Sequence, residues 1–222
     1  MSWNNITLFK FQQADRINSS DKSEVDKLLF TTCIVFDKTE YQLDNMPVKK
    51  VNKLVTKVSE IFQSEFNPQP CKRIGKFKMN YHPSTLTFGQ YIEISFFIEG
   101  RIGTAHYAIA SIVSKDAETH RQRADYFLHQ PVTKIVGSLN LFTEKFQSFN
   151  NEYNSLFGLS DVKVQEDKFN KRYGWIYSAS RVAEYERITL EQAFALPIRN
   201  ALNDLVYLKA KDKYEQEQLN KK

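Results

Sequence analysis

Cysteine is scarce in this 222-residue chain: the two present, Cys33 and Cys71, lie far apart, with no CxxC and no neighbouring histidine. That excludes a disulfide framework and suits thiols kept reduced in a cytosol. Glycine (7) and proline (6) are also few, too few for the tight turns of an all-β protein. Apolar runs are short, the stretch at residues 94–98 being broken by Ser95, and the start MSWNNITLF has neither a basic head nor a long apolar block with a cleavage site. We therefore expect neither a membrane span nor export.

Chemical signatures are missing as well. None of His82, His106, His120 and His129 stands three or four residues from another histidine or a cysteine, so no metal-ligand pair is expected. There is no GxSxG elbow, and Gly100-Arg101-Ile102-Gly103 lacks the lysine and spacing of a phosphate loop. Glu184 and Glu186 are two apart and so face different sides of a helix, which disfavours joint acid–base work. The expectation is a protein that is not an enzyme and carries no cofactor.

What is present is aromatic and helical. Aromatic residues make up 14% of the chain, mostly Phe and Tyr. Thr7 can open a short first helix, and residues 24–36 read as a second. Asp44 or Asn45 can cap a third, with Pro47 in its first turn and Val51, Leu54, Val55, Val58, Ile61 and Phe62 on one face. After the turn at residues 67–70, residues 73–81 alternate apolar and polar, as a strand or a hairpin folded at Gly75-Lys76 would. Thr87 with Gln90, and Thr189 with Gln192, read as capping boxes. Thr7, Thr87 and Thr189 thus look like three helix caps rather than a duplication. Pro197 should restart the last helix, whose apolar face runs through Ile198, Ala201, Leu202, Leu205 and Leu208, with the charged end from Lys209 solvated and frayed. The expected fold is mainly α, a multi-helix protein with one small β-hairpin or strand pair in its first half. A helical domain over residues 1–158 would be followed by a helical segment over 159–222 packed on it, with the polar stretch 159–168 as the boundary.

Two patterns are candidates for binding. From Pro131, the residues Ile135, Leu139, Phe142, Phe146, Phe149, Tyr153 and Leu156 recur in heptad steps up to Gly158. One helix over residues 131–157 would be about 40 Å long, unless Asn150-Asn151 breaks it. Phe142, Phe146, Phe149 and Tyr153 are either core or a groove for a partner's amphipathic helix, a surface that Trp175 could extend or merely pack beneath. Residues 48–80 carry eight Lys or Arg against two acids, and the chain's formal net charge is +5. Lys49, Lys53 and Lys57 form an i, i+4, i+8 row opposite the apolar stripe. That row is a solvated face, or a set of phosphate contacts with Phe77 or Tyr81 free for base stacking.

The order of several segments resembles a known family. Trp3-Asn4-Asn5-Ile6-Thr7-Leu8 and Leu43-Asp44-Asn45-Met46-Pro47 come first, then the strand at residues 76–81 running into Leu86-Thr87-Phe88-Gly89-Gln90-Tyr91-Ile92-Glu93. Tyr173-Gly174-Trp175-Ile176 and Tyr207-Leu208-Lys209-Ala210-Lys211 close the series. Together they resemble tail assembly chaperone-like proteins of tailed bacteriophages, at both ends and the middle of the chain and less between residues 100 and 130. The resemblance implies a non-enzymatic helper in the host cytoplasm that binds the long, helical tape measure protein and is not retained in the particle, with no catalytic residues to carry over. The readings left beside it are a structural neck or tail protein of the particle and a basic nucleic-acid-binding module; self-association is compatible with any of the three.

Overall fold

The computed structural model describes residues 2–99, 101–114, 117–157 and 168–220. They form twelve α-helices, three short 3-10 turns and one two-stranded antiparallel hairpin, the mainly helical architecture expected. Two compact units share the chain, each assembled from separated segments: Met1–Asn80 with Phe97–Leu141, and Tyr81–Phe96 with Phe142–Lys222. A division after residue 158 is therefore not where the packing divides, because long-range helix contacts rather than chain order define the units. The expected stop at Gly158 and the polar boundary fall on residues 158–167, outside the described residues.

The first unit opens with a 3-10 turn, Trp3–Asn5, and α1, Leu8–Asn18, capped by the Thr7 hydroxyl, which accepts from Lys10 N at 3.3 Å. Helix α2, Glu24–Phe36, ends at Asp37, whose left-handed φ of 52° turns the chain. A short helix missed in the sequence, α3 (Glu40–Asp44), follows under a Thr39–Gln42 capping box. Asp44 and Asn45 thus close α3 instead of capping the next helix. Pro47 itself stands at the N-cap of α4, Val48–Gln63, supplying φ without needing an N–H. Trp3 is clamped among Phe11, Phe62 and Phe66 and donates its indole N–H to the Ser64 carbonyl.

The hairpin, β1 (Arg73–Ile74) and β2 (Phe77–Lys78), turns at Gly75-Lys76 as its alternation suggested. Gly75 is required twice: its φ is +55°, and a Cβ there would lie 1.8 Å from the Tyr126 hydroxyl. Helix α5, Phe88–Glu99, was expected to end near Ile98. Helix α6 (Ala105–Val113) lies where the sequence offers no periodic reading, and α7 (Ala117–Leu128) covers the polar helix that the sequence suggests between His120 and His129. Helix α8, Val132–Asn151, contributes its first half to the first unit. There Gly137 lets the Gln69 backbone approach to 2.3–2.6 Å of where a Cβ would be.

The second unit holds the rest of α8. The single helix of residues 131–157 is not formed: α8 stops at Asn151, and a turn leads into α9, Asn154–Phe157. Helix α10, Lys168–Glu186, ends at Arg187 with φ 56°; α11, Leu190–Ala195, starts on the Thr189–Gln192 capping box; α12, Ile198–Leu219, starts at Pro197. The last helix continues well past Lys209, although its outer half is exposed.

The same module occurs in both units. The left-handed residue (37 and 187), the capping threonine (39 and 189), its glutamine (42 and 192) and the helix-opening proline (47 and 197) all stand 150 positions apart. Helices α2 and α10 end, and α4 and α12 begin, at matched positions. The reading of independent caps is corrected accordingly: Thr189 has its counterpart in Thr39. Thr7 and Thr87 form a second matched pair, each following a 3-10 turn and each bridging to a proline, Pro131 and Pro197 respectively.

Candidate partner-binding groove

The aromatic heptad is core. Phe142 is 0% exposed, and Phe146, Phe149 and Tyr153 are also buried. Helix periodicity brings the three phenylalanines to one side of α8, with Tyr153 in the turn beyond it, and α5 closes over them: Tyr91 stacks on Phe146 at 4.9 Å, meets Phe149 at 6.5 Å, and donates its hydroxyl to Asn150 Oδ1 at 2.9 Å. Burial holds the Tyr91 phenol well above its usual pKa, in its neutral, donating form. Tyr153 extends the line to α12 through its hydroxyl and Asn203 Oδ1 at 3.3 Å. As placed, these four rings offer no open groove. A heptad identifies a stripe but not what covers it, and here the cover comes from the same chain.

Trp175 is different. It is half-buried, meeting Phe88 and Tyr91 edge-on at 6.1 and 5.6 Å on one side. On the other it lines an open cavity of about 530 Å³ between α10 and α12. The apolar lining comes from Leu156, Leu205 and Leu208, and Tyr177 forms part of the rim. Across the two helices, the Arg181 guanidinium donates to both carboxylate oxygens of Asp212, Nη2 to Oδ1 at 2.9 Å and Nη1 to Oδ2. The pairing holds the Asp212 carboxyl below its ordinary range and raises the guanidinium, so the clasp stays charged at neutral pH.

Outside the cavity the surface is unusually rich in tyrosine. Tyr173, Ile176, Tyr177 and Tyr185 on α10, with Tyr207 and Tyr214 on α12, are all exposed, Ile176 and Tyr177 by about half. Tyr185 and Tyr207 face each other across the helices at 5.4 Å. On α10, Tyr173 and Ile176 look outward, and Ala179, Val182 and Ala183 form the buried side, where small residues let α12 approach. Sequence reasoning passed over Tyr177, Arg181 and Asp212; the i, i+4 tyrosines at 173 and 177 were the available signal.

The first unit has a groove at matched positions. Between α2 and α4, Glu24, Lys27, Leu28, Thr31, Val58 and Phe62 line about 320 Å³, each 150 positions before a residue lining the first groove. Thr31 and Phe62 stand where Arg181 and Asp212 do, so the ionic clasp is absent and the Thr31 hydroxyl is buried without a partner.

The basic row is placed as expected: Lys49, Lys53 and Lys57 are all exposed on α4, away from the buried Val58 and Ile61. Of the two rings proposed to serve it, only Phe77 lies in the same compact unit. Phe77 is half-buried with its faces taken by Lys76 (5.4 Å) and Arg123 (5.5 Å), and Tyr81 belongs to the other unit. His106 is buried beside Gln12, His120 contacts Ser111 Oγ at 2.8 Å, and His129 stacks on Phe9 at 5.8 Å. Among the described residues no three His, Cys, Asp or Glu side chains are grouped to hold a metal, and no helix is long and apolar enough to cross a membrane.

Compared with family models, with curated proteins and with solved structures, the chain matches none of them.

Proposed function

We propose that this chain is a non-enzymatic assembly chaperone that holds an amphipathic helical segment of another protein in the α10/α12 groove. The observation that carries this reading is the combination of an open apolar trough, walled by Trp175 and floored by Leu205 and Leu208, with an exposed tyrosine and isoleucine surface beside it. Such a trough suits anchors at i, i+3, i+4 and i+7 of a helix, and tyrosine adds contact area at low entropic cost. With the resemblance to tail assembly chaperone-like proteins, the proposed client is the tape measure protein in the host cytoplasm, whose apolar helical faces need cover before tube subunits enclose them. The proposed site is therefore Trp175 with Tyr177, Leu205 and Leu208; Phe142, Phe146, Phe149 and Tyr153 act as its support.

The test is a pull-down of the tagged full-length chain from phage-producing cells after nuclease treatment, beside an Ile176→Asp/Tyr177→Asp variant. Near-stoichiometric recovery of one long helical tail protein, lost in the variant while its circular dichroism and melting temperature hold, is the expected result. Recovery of capsid or tail subunits that persist in purified particles would replace this reading with a structural role in the particle.

A second reading rests on the exposed lysine row of α4. As a nucleic-acid contact, Lys49, Lys53 and Lys57 would give binding whose logarithm falls with log salt, the slope shrinking by about 1 for each lysine neutralised. Binding unchanged by Lys53→Gln/Lys57→Gln would remove it.

A further inference from the structure

Two helices of this protein begin in a filled socket. At α12, Phe88 N donates to the Leu196 carbonyl at 2.9 Å, and Ile198 N donates to the Leu86 carbonyl at 3.0 Å. At α8, Leu8 N donates to the Gln130 carbonyl and Val132 N to the Ile6 carbonyl, both at 2.9 Å. Each pair makes an isolated antiparallel bridge, Thr87 with Pro197 and Thr7 with Pro131. The occupants are alike: a 3-10 turn, an apolar residue, a capping threonine, and an apolar residue that opens a helix. The residue after the proline, Ile198 or Val132, is 0% exposed in both.

Helix α4 begins in the same way. Pro47 has φ −56° and ψ 132°, against −55° and 133° for Pro197. Its carbonyl accepts from Lys50 N and Val51 N as that of Pro197 does from Asn200 N and Ala201 N. Met46 N reaches back to the Leu43 carbonyl as Leu196 N does to Ala193. Yet this socket has no occupant: among the described residues, neither the Met46 carbonyl nor the Val48 N–H has a hydrogen-bond partner, and Val48 is 73% exposed. Tyr41, on α3 just before it, is 76% exposed.

We propose that the Met46-Pro47-Val48 edge is a protein-interaction site that takes the helix start of a partner chain, of the form apolar-Thr-apolar, through the same two-bond bridge. Backbone donors and acceptors left at an extended edge are a template for strand addition, and Val48 is the apolar contact that both filled sockets bury. Charge narrows the partner. Lys49, Lys50 and Lys53 follow the edge on α4, all exposed, and outnumber the exposed Glu40 and Asp44 on α3, so the incoming helix start carries Asp or Glu in its first turn. The occupant is a different protein and not a second copy, because both matching segments of this chain are engaged: Ile6, Leu8 and Phe88 are 0% exposed and Leu86 4%, and withdrawing either would open its own socket.

The test uses the full chain, isotopically labelled, and a peptide of residues 2–18 carrying Lys10→Glu as the probe. Saturable amide shifts confined to residues 41–51, with affinity lowered at least tenfold by Val48→Pro, are expected; proline at that position deletes the donor while the first helical turn tolerates it. N-methylation of the peptide at Leu8, which deletes the opposite bond, should have the same effect. Equal affinity in Val48→Pro, or shifts at Leu8 and Val132 that report displacement of the chain's own segment, would overturn the proposal. So would concentration-dependent dimerisation of the chain that Val48→Pro abolishes, since a second copy would then be the occupant.

Discussion

Single residues hold this structure at places where no neighbour can substitute for them. Gly137→Ala would set a Cβ within 2.6 Å of the Gln69 backbone, and no side-chain rotation relieves a clash with main chain. We expect a loss of about 3 kcal/mol, measured by urea unfolding. Gly75→Ala meets the end of the Tyr126 ring instead, which can move, so its cost is mainly the left-handed backbone, about 1–2 kcal/mol. Only the smaller share due to the ring should return in Gly75→Ala/Tyr126→Phe, where the nearest clashing atom is gone. His106 is buried with its Nδ1 3.5 Å from Gln12 Nε2, an amide that donates to the carbonyls of Ile102 (2.7 Å) and Gly103 (3.3 Å). Burial pushes its pKa below the ordinary value of 6.5, with His120 adding and Asp125 opposing. The unfolded chain therefore binds the proton more readily. The His106 contribution to stability is complete above about pH 6.5 and is lost as pH falls below it, with a slope of at most about 1.4 kcal/mol per pH unit. His106→Gln should flatten that part of the stability–pH curve.

At the scale of elements, helix starts are the recurring device. Four threonines cap helices, and at three of them a glutamine three residues on completes the box: Thr39–Gln42, Thr87–Gln90 and Thr189–Gln192. Thr189→Ala should cost about 1 kcal/mol, read from the midpoint of thermal or urea unfolding, since one orphan donor of α11 loses its acceptor. Three prolines open helices because the first helical turn needs no N–H, and the restricted φ favours the extended residue a bridge requires. Long helices end for local reasons too, α2 and α10 at left-handed residues and α8 at the Asn150-Asn151 pair. The boxes at Thr87 and Thr189, the Thr7 cap, the restart at Pro197 and the break at Asn150-Asn151 were legible in the sequence, because capping and turn chemistry depend on the few residues that carry them; the Thr39 box and the left-handed ends were not read there. Helix α6 was not legible either, because burial on several sides leaves no clean apolar period: seven of its nine residues are buried.

For the whole molecule, the two compact units each have a core of their own, and mutations should act by unit. Phe146→Ala removes a ring stacked on Tyr91 and buried to 6% exposure, and we expect a cost of about 3–5 kcal/mol. Hydrogen exchange should rise first in residues 81–96 and 142–220. Gly137→Ala should instead raise it in residues 2–80 and 97–141. The double variant Phe146→Asp/Phe149→Asp should unfold the second unit rather than merely lose a partner, because two carboxylates would be buried without hydrogen-bond donors. A folded double variant that no longer bound a client would restore the aromatic line as an interface.

The helical class, the hairpin turn at Gly75-Lys76, most helix starts and the apolar stripes follow from contacts within a few residues, and so can be read along the chain. Which stripe is covered depends instead on how distant segments pack. Phe142, Phe146, Phe149 and Tyr153 are covered by α5 and α12, whereas Ile176 and Tyr177 on α10 are not. Likewise the repeated module is nearly silent in sequence: across its matched caps and turn only the threonine, the glutamine and the proline are identical, because a helix pair tolerates any residues that preserve the caps and the buried side. Burial is a property of segments far apart in the chain, and hence so is the difference between two filled sockets and an open one.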